Sequence, residues 1–157
     1  MGRSAGICRI RVANLLTTVA THWGWIGLDP LEIVGRNAFG NLLIKDAAGA
    51  YWRICPEELS CLTVADNATA FEALCNDAEF QLDWEMALPV KAAREALGAL
   101  TPGRVYYLII PAVFNGAYDV KNYATAPVEE VIALAGHWAL EIKDLPEGAQ
   151  IELRVID

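Results

Sequence analysis

Apolar positions along the chain change period several times, and each change marks an element. Val12, Leu15, Leu16, Val19 and Trp23 fall at helical spacing, which predicts an amphipathic helix over residues 8–22. Gly24 and Gly27 stop it. Asp29-Pro30 is a turn or helix-start signal, and Leu31, Ile33 and Val34 then predict a short helix ending near Gly35. Residues 40–45 and 50–55 are two β-prone runs around Asp46-Ala47-Ala48-Gly49, a hairpin pattern in which Gly49 supplies a positive φ at little steric cost. Pro56 cannot donate to a ladder and ends the second strand. Residues 61–65 read as a third strand after the corner Pro56-Glu57-Glu58-Leu59.

The second half is richer in helix. Residues 67–80 predict one helix, with Ala70, Phe71, Leu74 and Cys75 on one side and Glu72, Asp77 and Glu79 on the other. Residues 89–97 predict another, with Pro89 in its first turn and Gly98 at its C-terminal cap. Residues 105–110 are apolar without alternation, the pattern of a strand covered on both faces. Thr125 predicts an N-cap for a helix with Pro127, Glu129 and Glu130 in its first turn. Val128, Val131, Ile132, Ala135, Trp138 and Ile142 form its stripe, and Gly136 inside it costs about 1 kcal/mol relative to Ala, enough for a kink. Pro146-Glu147-Gly148 turns into a final strand in which Ile151, Leu153 and Val155 alternate with polar residues. There is no internal repeat and no low-complexity linker. The order of elements predicts an α+β class, with residues 1–157 as a single compact domain: a mostly antiparallel sheet with helices packed against it.

Composition agrees with that class and narrows the function. The 157 residues are 55% apolar and 20% charged, which excludes an intrinsically disordered chain. At this length about two-thirds of the unfolded surface can be buried, so no disulfide or metal is required. The formal net charge is -8, spread as +2 over residues 1–50, -6 over 51–100 and -4 over 101–157. An acid excess argues against direct nucleic-acid binding, which needs clustered Lys and Arg. It suits a basic protein partner. No run approaches the ~18 apolar residues of a membrane span. Arg3, Arg9 and Arg11 precede an apolar stretch, but Thr17 and Thr18 interrupt it and no small-residue cleavage site precedes His22-Trp23. Met1-Gly2 lacks the Ser or Thr of a myristoylation start, Gly6 standing there. Cys8, Cys55, Cys61 and Cys75 show no CxxC pairing and read as buried thiols, so the expected location is the cytoplasm.

Catalytic signatures are missing. The chain has no GxGxxG, GxxxxGK[ST] or GxSxG. His22 and His137 stand alone, a Cys–His pair from Cys55 or Cys61 has no family signature, and metal-ligand spacing is absent, so no cofactor and no metal are expected. Carboxylates crowd residues 77–85, where Phe80, Leu82 and Trp84 alternate with acids. This reads as a surface segment with its apolar side chains turned inward. Acids beside an aromatic can steer and anchor a cationic partner. Asn67-Ala68-Thr69 matches a glycosylation sequon, without meaning for a cytoplasmic chain.

Longer motifs add a family. Trp23-Gly24-Trp25, Leu28-Asp29-Pro30, Asn37-Ala38-Phe39-Gly40-Asn41 and the run from Tyr51-Trp52-Arg53 to Pro56-Glu57-Glu58-Leu59 resemble a bacterial immunity domain. Asp83-Trp84-Glu85, residues 106–111, Asn115-Gly116 with Tyr118-Asp119, and Lys143-Asp144-Leu145-Pro146 extend the likeness from about residue 12 to residue 157. The chain is similar to the C-terminal domain of immunity proteins that protect against DNase effectors of the type VI secretion system. The resemblance implies a non-enzymatic protein that binds a cognate secreted nuclease toxin, with no direct nucleic-acid or membrane partner. In its motifs Gly40, Gly49, Pro56 and Gly116 look like turn requirements. Trp52 and Arg53 face opposite sides of a strand, Trp52 buried and Arg53 paired with a carboxylate. The expected partner-binding residues are Glu57, Glu58, Asp66, Glu72, Asp77, Glu79, Asp83 and Glu85. Two rival readings remain: an orphan scaffold domain binding a peptide or small ligand, and an enzyme using Cys55 or Cys61.

Overall fold

The computed structural model describes residues 14–152. The start of the first predicted helix, Cys8 and the alternating Leu153 and Val155 lie outside the described residues. Residues 14–23 form α1, whose buried stripe is Leu15, Val19 and Trp23. A short 3-10 turn, Gly24–Ile26, ends in Gly27 at φ 97, a left-handed cap that glycine adopts without strain.

The next segment departs from expectation. Pro30–Arg36 is a strand, β1, and not the short helix predicted from Leu31, Ile33 and Val34. The run is too short to carry a helical period, and the exposed edge of the next strand supplies ladder partners: Ile33 lies opposite Ile44 and Gly35 opposite Leu43. Pro30 is tolerated because it opens an edge strand. The predicted hairpin is present as β2 (Leu42–Asp46) and β3 (Tyr51–Cys55), and β4 (Ser60–Ala65) follows a 3-10 turn, Pro56–Glu58. The four strands form one antiparallel sheet in the order β1-β2-β3-β4.

Residues 67–80 form two helices rather than one. α2 (Ala68–Cys75) and α3 (Ala78–Glu85) are separated at Asn76-Asp77. Asn67 and Asp77 each accept an amide hydrogen bond as N-caps, from Ala70 and Phe80. A second cap ten residues after the first, inside an otherwise helical pattern, starts a new helix, because its side chain competes for the amides of the next turn. Residues 77–85 are therefore not an alternating segment. Phe80 and Trp84, four apart, share the inner face with their rings stacked at 6.1 Å. Leu82 points outward, 72% exposed.

α4 (Ala87–Leu97) ends at Gly98. β5 (Arg104–Leu108) pairs with β6 (Tyr123–Pro127) as a second, two-stranded sheet. Thr125 is thus inside β6 and is not the N-cap of α5 (Val128–Ile142); Pro127 holds that position with no side-chain bond. Thr125 instead accepts the Arg104 guanidinium, at 2.9 Å through its carbonyl. Gly136 does not interrupt α5. A Cβ there would lie 2.6 Å from the His22 carbonyl oxygen, so glycine allows the end of α1 to touch the helix.

Two cores result. α1, the inward faces of β2 and β3, Val105 of β5 and the stripe of α5 make the first. Phe39, Ala93 of α4, Tyr106, Leu108 and Tyr123 make the second, on the other face of β5–β6. β5 is covered on both sides, which explains its unbroken apolar run. The α+β class stands, with strands in two antiparallel sheets.

Candidate functional site

The quoted motifs converge on a buried polar cluster. Residues of β2 and β3 alternate between faces, so Leu42, Ile44, Trp52 and Ile54 point to the first core while Leu43 and Arg53 point to the other side. On that other side α2 and α3 cover the sheet: Tyr51 stacks on Phe71 at 4.1 Å, and Trp84 lies against Gly35. Arg53 sits beneath α3, its guanidinium 5.2 Å from the Trp84 ring and 6.0 Å from Phe80. Cation–aromatic contacts of this kind favour Arg in a partly desolvated place.

Asn41 organises the charges around Arg53. Its side chain is fully buried. The amide nitrogen donates to both Glu57 oxygens, at 3.1 and 3.0 Å, and the amide oxygen accepts from Arg53 Nε at 3.1 Å and Nη2 at 2.9 Å. Arg53 Nη1 completes the chain with Asp83 on α3. A carboxylate as buried as Glu57 is costly unless its oxygens are hydrogen-bonded. Asn41 meets that need and passes the polarity to a cation. Asn37 locks the same corner: its oxygen accepts the Phe39 and Asn41 amides, both at 3.0 Å, and its nitrogen donates to the Trp84 carbonyl at 3.0 Å. That carbonyl is one of the groups a helix end leaves unpaired.

Trp52 is half-buried, less than expected, because its indole N–H reaches the hairpin end and donates to Asp46 at 2.8 Å. The other Asp46 oxygen accepts the Ala48 and Ala50 amides at 2.9 Å. The bond from Trp52 holds the Asp46 carboxyl below the ordinary range; the three loop amides add to this and burial opposes it.

The eight predicted partner residues separate into distinct environments. Residues 54–90 contain these eight acids and no Lys or Arg. Glu57 is buried, 6% exposed, with both oxygens on Asn41. Asp77 is exposed but caps α3, and Asp83 is exposed but pairs with Arg53. Glu58, Asp66, Glu72, Glu79 and Glu85 are exposed, and none makes an ion pair among the described residues. The fold therefore gathers Asp77, as N-cap, and Glu79, Asp83 and Glu85 along one short helix, with Glu72 on the preceding one. Glu58 lies with Arg53, Cys55, Ser60, Asp83 and Tyr118 around an open hollow of about 290 Å³.

The thiol beside that hollow is held in its protonated form. Burial, and next the Glu57 charge, pushes the Cys55 thiol far up; burial pushes Cys61 up to about 12. An attacking cysteine needs the opposite shift. No histidine lines the hollow or the cleft beside Cys61. Cys75 is exposed rather than buried. Burial together with Glu57 likewise raises the Tyr118 phenol. Among the described residues no group of three His, Cys, Asp or Glu side chains could hold a metal, and no helix is long and apolar enough to cross a membrane.

Asn41 was not among the sequence candidates, although its motif was. A lone Asn between Gly40 and an apolar strand carries no sign of burial. The apolar loop after β5 was also missed. Its signal was present: the apolar run extends to Ile110, two residues beyond the strand.

Residues 65–137 match the family model described as T6SS immunity protein Tdi1, C-terminal. The match runs from the end of β4 into α5, narrower than the likeness read from the motifs. It contains six of the eight acids; Glu57 and Glu58 precede it. No curated protein matches the chain.

Proposed function

We propose that this chain, with residues 65–137 similar to a type VI secretion immunity family, is a non-enzymatic immunity protein that binds a secreted DNase toxin one to one in the cytoplasm and neutralises it. The family match carries the reading. The charge distribution supports the nuclease as partner. A DNase must present a cationic groove to a polyanion, and residues 54–90 offer acids without a single base. Seven of those acids are exposed. The raised thiols support a binding role over a catalytic one.

Purified chain titrated into a DNase toxin of the source bacterium's type VI system tests this. Expected is loss of DNA cleavage at equimolar chain, with association at least about tenfold slower at high salt than at low salt. Undiminished cleavage under excess folded chain overturns the reading. Salt-independent association overturns only the electrostatic part.

A cleft between β5–β6, α5 and Pro56 has a volume of about 100 Å³, and the open hollow lined by Trp23, Trp52, Cys61 and Ile142 one of about 410 Å³. Small-molecule sites measure roughly 300–1,000 Å³. The cleft falls below that range and the open hollow beside Cys61 within it, so an orphan ligand-binding domain would have the latter as its site.

A further inference from the structure

Between β5 and β6 the chain presents Ile109, Ile110, Val113, Tyr118 and Val120 to water, each between 42 and 47% exposed. Scattered single apolar residues on a surface need no explanation, but five in one twelve-residue loop do. The loop is also rigidly built. Asn122 accepts the Ile110 amide at 2.9 Å and donates to the carbonyls of Ile110 at 2.9 Å and Ala117 at 3.0 Å. Gly116 passes so near residue 110 that a Cβ would lie 1.7 Å from its carbonyl oxygen. The backbone that carries the apolar side chains is thus held in place before any partner arrives, which lowers the ordering cost of binding.

The loop abuts the acidic surface. Tyr118 lines the same hollow as Glu58 and Asp83, and the Glu57 and Glu58 charges act on its phenol. Lys121 is the one base of residues 109–122. An exposed apolar loop that meets acids at Tyr118 offers what a protein interface uses, a few apolar anchors for affinity and nearby charges for steering.

We infer that residues 109–120 are the apolar anchor of the toxin interface, and that its occupant is an apolar patch bordered by Lys and Arg on the DNase. This deepens the proposed function and rests on it. Charge complementarity selects that occupant: a second copy of this chain would bring acid against acid.

The double variant Ile109→Asn/Val113→Asn, which leaves charge unchanged, tests the anchor against the purified, catalytically inactivated DNase toxin. Expected is a Kd raised about 100-fold, mainly through faster dissociation and equally at low and high salt. Amide exchange of the wild-type complex, which needs no variant, should show residues 109–122 newly protected. Unchanged Kd with no protection there overturns the anchor while leaving immunity intact. No binding of the toxin by folded wild type overturns the immunity reading and the anchor with it.

Discussion

Glu57 and Glu58 are neighbours in one 3-10 turn, yet their carboxylates do opposite work. Glu57 turns inward, and both its oxygens are occupied by the amide of Asn41. Glu58 stays in water at the edge of the hollow it shares with Tyr118. The same contrast separates two regions of the molecule. Around Asn41 and Arg53 every charge is consumed by another group of the chain. Across α2 and α3, Glu72, Glu79 and Glu85 make no ion pair among the described residues. Unpaired like charges repel and lower the stability of the isolated protein, so an all-acid surface makes more sense as half of a contact than as a support for the fold. Charge count alone hides this division; hydrogen-bond accounting reveals it.

The division can be broken at its inner half first. Asn41→Leu strands a buried carboxylate and loosens Arg53, which should cost about 3 kcal/mol or more. For a chain of this size that is roughly 6–12 °C in Tm. Adding Glu57→Leu should restore much of the loss, since removing both partners is far cheaper than removing one. Thermal unfolding of both variants decides it; a wild-type Tm for Asn41→Leu would mean the cluster is not a stabilising unit.

The outer half predicts the reverse. Glu58→Lys, Glu79→Lys and Glu85→Lys together should leave unfolding within about 0.5 kcal/mol per site. Association with the DNase should slow at least about tenfold. Stopped-flow association rates beside a urea melt distinguish these effects, and a destabilised but normally associating variant would invert the assignment.

A smaller effect concerns the thiols. Cys61 titrates near 12 in the fold, against about 8.5 in an unfolded chain. The neutral form is the one the fold favours, so its contribution is intact below about pH 8 and is lost as pH rises toward the folded value. By pH 10 the loss should reach about 1–2 kcal/mol. Cys61→Ala should flatten that alkaline limb in urea melts. Alkylation at neutral pH, read by peptide mass, should mark Cys75 well before Cys55 or Cys61.

Asp77 stands across the divide, an exposed acid with an internal task. Asp77→Ala removes the α3 cap and should cost about 1 kcal/mol. Its effect on association should be smaller than that of the triple reversal. An association defect as large as the triple variant's would make Asp77 chiefly an interface residue.

Local rules were legible where one residue type has one physical reason to be present. Asp46 and Gly49 set the hairpin, Gly98 ended α4, and the excess of acids over residues 51–100 was plain from counting. Elements that depend on a distant partner were not. β1 became a strand because β2 offered its edge, β6 because β5 did, and Thr125 lost its cap role for that reason. The segment of residues 67–80 broke into two helices because Asp77 caps the second, and α3 turned Phe80 and Trp84 inward over Arg53.

The candidate site follows the same rule. Composition and spacing by themselves determined that this is an acidic α+β protein without recognisable catalytic machinery, and its motifs determined the family it resembles. Only the tertiary structure decided which carboxylates are available. Burial of Glu57 depends on Asn41, sixteen residues away, and pairing of Asp83 depends on Arg53, thirty residues away. Hydrogen bonds of that reach are made by folding, and no local pattern records them.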